Sequence, residues 1–137
     1  MRKILSKQFS LRTLLLLSIA SGALLGIYLN QPSADLVEFT DQNFDERIES
    51  DKRQVLVLFR ADWCAPCQDL PPVLEELAYD CRWKTKVGIL DIDKNPKTTA
   101  RFGVQAVPTF VLLRDGKLIL EVAGTQTKEE LAKLLDL

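Results

Sequence analysis

Cys64 and Cys67, separated by Ala65 and Pro66 and preceded by Trp63, form a dithiol that can close and reopen as a disulfide. The thiolate is the form that attacks disulfides, so the chemistry depends on what lies around the first sulfur. Ahead of the pair, Val55-Leu56-Val57-Leu58-Phe59 is short, apolar and rich in β-branched residues, which predicts a buried strand. Behind it, Leu70, Val73, Leu74 and Leu77 recur at the spacing of one helix face. Cys64 is therefore expected where a strand hands over to a helix N-terminus, whose free N–H groups and dipole favour an anion. A disulfide closing so short a loop removes little chain entropy, which argues against a permanent staple and for a redox role.

The rest of the composition narrows the chemistry. The chain has 137 residues, three cysteines and no histidine. A structural zinc site normally takes four Cys or His ligands, and none is expected. Haem attachment needs histidine directly after the second cysteine, where Gln68 stands. No metal and no separate cofactor is expected; the Cys64–Cys67 pair is itself the redox group. With 47% hydrophobic residues the chain can build one small core.

Charge is distributed unevenly. Residues 1–34 carry Arg2, Lys3, Lys7 and Arg12 and no acid, leaving residues 35–137 with a charge of −5 within a total of −1. An acidic domain offers no footprint for nucleic acid. The four cations precede an almost unbroken apolar run from Leu14 to Leu29, the pattern of a signal anchor or a secretory signal. No good cleavage site follows, so an uncleaved anchor over residues 1–30 is favoured, with 31–34 as linker and 35–137 as the folded domain. Cations before the span place the N-terminus inside and the dithiol domain outside the cytoplasm, in a periplasm or lumen.

The order of elements within 35–137 reads β-α-β-α-β-α-β-β-α. Leu36–Phe39 begins it, and Thr40 or Asp41 can cap a helix burying Phe44 and Ile48. Pro71-Pro72, inside the helix that follows the cysteines, is expected to kink it. A strand over 87–92 precedes Asn95-Pro96, the chemistry of a helix start, and that helix stops near Gly103. Asp115-Gly116 marks a hairpin, and Thr127 with Glu130 a capping box. Cys81 is expected as an inert buried thiol, and Tyr79, Trp83 and Phe102 as packing residues.

With these landmarks in order, residues 35–137 resemble a thioredoxin. The resemblance rests on Ala61 through Cys67, Pro72, Asp91 through Pro96, Phe102-Gly103-Val104, Val107-Pro108-Thr109, Asp115-Gly116 and Gly124. It implies an α/β thioredoxin fold: a central mixed β-sheet with helices on both faces, here preceded by one N-terminal hydrophobic helix. It further implies a cis Pro108 against the two sulfurs, and Val107 pairing its backbone with extended substrate. Trp63, Ala65, Pro66, Val107, Pro108 and Gly124 would border a shallow docking groove. Cys64 would be the nucleophile and Cys67 the resolving thiol.

The chain departs from that family at one pair of positions. Thioredoxins usually carry a buried Asp and a nearby Lys that are thought to relay the resolving thiol's proton; here Leu58 and Ile89 stand there. Arg60 and Asp62 are candidate modulators of the Cys64 pKa, in opposite senses. The expectation is an enzyme: a tethered thiol–disulfide oxidoreductase reducing exported proteins, in cytochrome c maturation or envelope redox homeostasis. Its electrons would come from a transmembrane thiol donor. The competing readings are a redox-inactive scaffold on this fold and a dithiol Cu(I) chaperone.

Overall fold

The computed structural model describes residues 35–137. The expected apolar helix over 14–29 and the linker over 31–34 lie outside the described residues. Among the described residues, no helix is long and apolar enough to cross a membrane.

Alternation along strand β2 (Gln54–Arg60) organises the domain. Successive side chains of a strand point to opposite faces, and here both faces are apolar, so both must be covered. Leu56 and Leu58 join one cluster with Val87, Phe110 and Leu112, covered by α2 (Leu70–Cys81) and α4 (Lys128–Leu134). Val55, Val57 and Phe59 join the other, with Phe39, Leu90 and Val111, covered by Phe44 and Ile48 of α1 (Phe44–Glu49) and Phe102 of α3 (Pro96–Phe102). The five-stranded sheet has the order β1-β3-β2-β4-β5. Strands β1 (Val37–Phe39) and β3 (Thr85–Asp91) run parallel with β2, whereas β4 (Thr109–Arg114) is antiparallel to both β2 and β5 (Lys117–Ala123). The expected mixed sheet with helices on both faces is what forms.

The turns follow their local chemistry. Asp115 and Gly116 both take positive φ, 51° and 71°, as a two-residue hairpin turn of this hand requires. Gly103, at φ 67°, closes α3 in the left-handed conformation that glycine adopts without cost. The capping box forms as expected: Thr127 Oγ1 accepts from the Glu130 N–H, and Glu130 accepts from the Thr127 N–H at 2.8 Å.

Three local expectations are corrected. The helix after the cysteines is broken rather than kinked: a single 3₁₀ turn over Ala65–Cys67 ends, and α2 begins afresh at Leu70. Pro71 and Pro72 lack N–H groups, so they fit only where an α-helix needs none, in its first turn. The capping partners also differ. Asp41 does not cap α1, whose N-cap residue is Asn43. Its carboxylate reaches across to α3, accepting from the N–H groups of Lys97 and Thr98 and from the Thr98 hydroxyl. Burial works to raise the Asp41 pKa, but these bonds outweigh it and hold the carboxyl below its usual value. Asn95 stands at the N-cap of α3 with its side chain turned away, joining the Asp41 N–H to the Asp91 carbonyl. Finally, Tyr79 and Trp83 are exposed, at 61% and 57%, and do not pack in the core.

Candidate active site

β2 delivers the chain to the site and the 3₁₀ turn displays it. Ile92 donates to the Arg60 carbonyl, holding the end of β2 beside the end of β3. Cys64 then donates to Ala61 O, and Cys67 to Cys64 O, which brings the two sulfurs to one side of a tight loop. They are joined in a disulfide of 2.08 Å. Cys64 is 4% exposed, and Cys67 is wholly buried. Only an edge of the first cysteine reaches solvent in the oxidised state. The expected helix N-terminus at Cys64 is also modified, since Cys64 precedes the single 3₁₀ turn and α2 starts six residues later.

Residues remote in sequence meet the dithiol through the Val107–Pro108 loop. The Val107–Pro108 peptide is cis and Pro108 is buried. Val107 packs against the small cluster of Ala61, Cys64 and Cys67, together with Ile92. Thr109 donates its hydroxyl to Ala106 O across the proline, at 2.8 Å. Gly124, at φ 97°, donates its N–H to Pro108 O, also at 2.8 Å. Trp63 is 69% exposed, and Ala65 and Pro66 are exposed beside it. Trp63, Ala65 and Pro66 thus leave exposed apolar surface next to the disulfide in sequence.

The charged neighbours pair with one another. Arg60 turns its guanidinium to Asp62 at 2.8 Å rather than toward Cys64, while Lys94 bonds both Asp62 and Asp91. The Lys94 pKa is raised by its hydrogen bond to Asp91 first and by Asp62 next. Asp62 thus carries two cationic partners, which offset its opposition to a nearby thiolate. The Trp63 indole N–H donates to Asp93 at 2.8 Å, fixing the ring that flanks the site. Sequence reasoning missed this contact, because thirty residues separate its partners and no local pattern announces it.

The missing relay is visible as hydrocarbon. Leu58 and Ile89 lie opposite each other on β2 and β3, with Leu58 wholly buried and Ile89 packed against the same cluster. Cys81 ends α2, 1% exposed, with its thiol directed to Thr85 O. Burial pushes that thiol up to about 11, so it is protonated and inert, as the sequence leads one to expect.

A doubly covered mixed sheet, a solvent-edged disulfide of the Cys-x-x-Cys type at the end of a central strand and a cis-proline loop beside it define a thiol–disulfide oxidoreductase. Comparison with known proteins gives the family. The Thioredoxin family model matches residues 35–137. A thioredoxin from Staphylococcus haemolyticus is 48% identical over 101 residues, covering 74% of this chain and 95% of the relative. A thioredoxin from Staphylococcus aureus is 45% identical over the same shares. Among solved structures, a mutant thioredoxin from Halobacterium salinarum superposes with a TM-score of 0.70 at 37% identity, covering 77% of this chain and 91% of that one. This chain belongs to the thioredoxin family, whose members act on disulfide-containing substrates through the cysteine pair itself.

Proposed function

We propose that this thioredoxin works on a membrane tether, outside the cytoplasm, where it reduces disulfides of exported proteins. The observation that carries the reading is the join of two sequence features: four cations and an apolar run over residues 2–29, then a redox domain beginning at 35. A cytosolic reductant has no use for such a leader, and reductase in the cytosol could not reach a domain across the bilayer. Electrons would therefore come from a transmembrane thiol carrier. Apoproteins awaiting covalent haem, whose cysteines must be reduced, are one fitting substrate class.

Cys64, as thiolate, attacks one sulfur of the substrate disulfide; the other leaves as thiolate and takes a proton. Cys67 then attacks Cys64, which releases the second substrate sulfur and leaves the Cys64–Cys67 disulfide. Two electrons pass to the substrate in all. In the mixed disulfide, Val107 offers its backbone and Trp63 its exposed ring to the bound segment. Cys67 packs with Ala61, Cys64, Ile92 and Val107, and position 58 carries leucine in place of the family's carboxylate, so proton loss depends on water or substrate admitted during docking. Slower, more selective exchange follows.

Cys67→Ser in the native membrane tests the proposal, because Cys64 then cannot be released from its partner. Mixed disulfides with exported proteins, recovered from the membrane fraction, are the expected outcome. Trapped partners confined to the cytosol, or none at all, would sink it.

A further inference from the structure

The end of the sheet opposite the dithiol carries a second organised surface. Strands β2 and β3 begin there, at Gln54 and Thr85, and the β4–β5 hairpin turns there at Asp115-Gly116. β2 is seven residues long, so this end lies about 20 Å from the cysteines. A shallow groove of about 350 Å³ opens on it, lined by Lys52, Arg53, Trp83, Lys84, Arg114 and a single carboxylate, Asp115. Arg82 sits over the rings of Tyr79 and Trp83, at 4.4 Å and 5.7 Å.

Charge here runs against the domain as a whole. Among the described residues, Lys52, Arg82, Lys84, Arg114 and Lys117 make no ion pair with a carboxylate, although residues 35–137 carry a charge of −5. Asp51 is already neutralised by Arg53 and Lys86, and Asp80 is paired with Lys128; the other acids of this end are Asp35, Glu49, Asp115 and Asp136. Apolar surface gathers here too. Of the large exposed hydrophobic side chains among the described residues, Trp63 alone belongs to the dithiol end; Tyr79, Trp83, Leu118, Ile119 and Leu137 lie at or next to the cationic end. Exposed Trp and Tyr among Lys and Arg are the residue types that settle at a bilayer interface.

The chain enters the domain at this same end. Val37 pairs with Gly88, in parallel, so residues before it run toward the start of β3. Seven residues, Asn30 to Leu36, separate the apolar run from β1, and fully extended they span at most about 25 Å. From these observations we infer that the Trp83–Arg114 face docks on an anionic phospholipid surface and turns the dithiol outward, into the aqueous compartment. The inference rests on the tethered reading above. Lysine, arginine and guanidinium-stacked aromatics meet headgroup phosphates, while Trp83, Leu118 and Ile119 enter the interfacial layer.

The two tryptophans report on opposite ends and make the test direct. The full-length Trp63→Phe chain, whose only tryptophan is Trp83, is reconstituted into phosphatidylcholine–phosphatidylglycerol vesicles with brominated acyl chains. Loss of Trp83 emission is expected, reversed by high salt or by phosphatidylcholine alone. A Trp83→Phe chain, reporting from Trp63, should keep its emission. Lys52→Glu with Arg114→Glu should abolish the quenching while the chain still pellets with the vesicles. Trp83 unquenched in pelleted chain, equal quenching of both tryptophans, or Trp83 covered in detergent by a second copy would overturn the docking face and leave the tether standing. A chain that stays in the supernatant sinks the tether, and the docking face with it.

Discussion

Leu58 and Ile89 illustrate how two residues change a site without changing its outline. They face each other across β2 and β3, in the middle of hydrocarbon supplied by Leu70, Leu74 and Phe110. A carboxylate at 58 alone would be buried with no cation opposite, a situation that costs about 3–5 kcal/mol. Leu58→Asp should therefore lower stability by that order in urea unfolding, and Ile89→Lys added to it should recover part of the loss. A single variant as stable as the parent would mean that position 58 reaches water, contrary to its complete burial. The same residue-scale logic separates the three thiols. Cys64 and Cys67 meet at a solvent edge, whereas Cys81 is held protonated by its burial.

At the scale of elements, the domain depends on ties between segments that are remote in sequence. Asp51, in the loop between α1 and β2, binds Arg53 at 2.6 Å and Lys86 of β3 at 2.8 Å, and Arg53 also donates to the Arg82 carbonyl just beyond α2. The Arg53 hydrogen bond is the chief cause holding the Asp51 carboxyl well below the usual range; burial opposes it and Lys86 adds to it. A depressed folded-state pKa contributes stability that is present above the unfolded value of about 4 and is lost as pH falls below it. Asp51→Asn should therefore cost about 1–3 kcal/mol at neutral pH, the range for hydrogen bonds to charged groups. The gap between parent and variant, followed by urea unfolding, should close on acidification below about pH 4. A gap constant with pH would show that Asp51 contributes by shape and not by charge. Asp41 works similarly, tying the start of α1 to the start of α3.

For the whole molecule, the two ends of the sheet divide the work. One holds the disulfide, the cis-proline loop and Trp63; the other holds the cations and the remaining exposed aromatics. The Staphylococcus relatives match over nearly their whole length to 101 residues of this chain, so the redox domain corresponds to a complete protein elsewhere. A chain beginning at Ser33 should accordingly fold and reduce insulin disulfides in solution at the rate of the full chain in detergent. A large fall in rate would show that residues 1–32 contribute to exchange itself.

The sequence by itself determined the order of elements, the dithiol, the capping box, the Asp115-Gly116 turn and the family. Each of these is local: a period of two or of 3.6, a residue required by a backbone angle, or a motif of a few positions. The loss of the buried acid and its lysine was legible as well, because the resemblance gave those positions numbers. Only the tertiary structure decided that Asp41 serves α3, that Asp93 holds Trp63, and that Arg60 spends its charge on Asp62. It also moved Tyr79 and Trp83 out of the core and set them among cations remote in sequence, such as Lys52 and Arg114. Partners in these contacts are brought together by strand order, and strand order is a property of the packed sheet that no local pattern along the chain encodes.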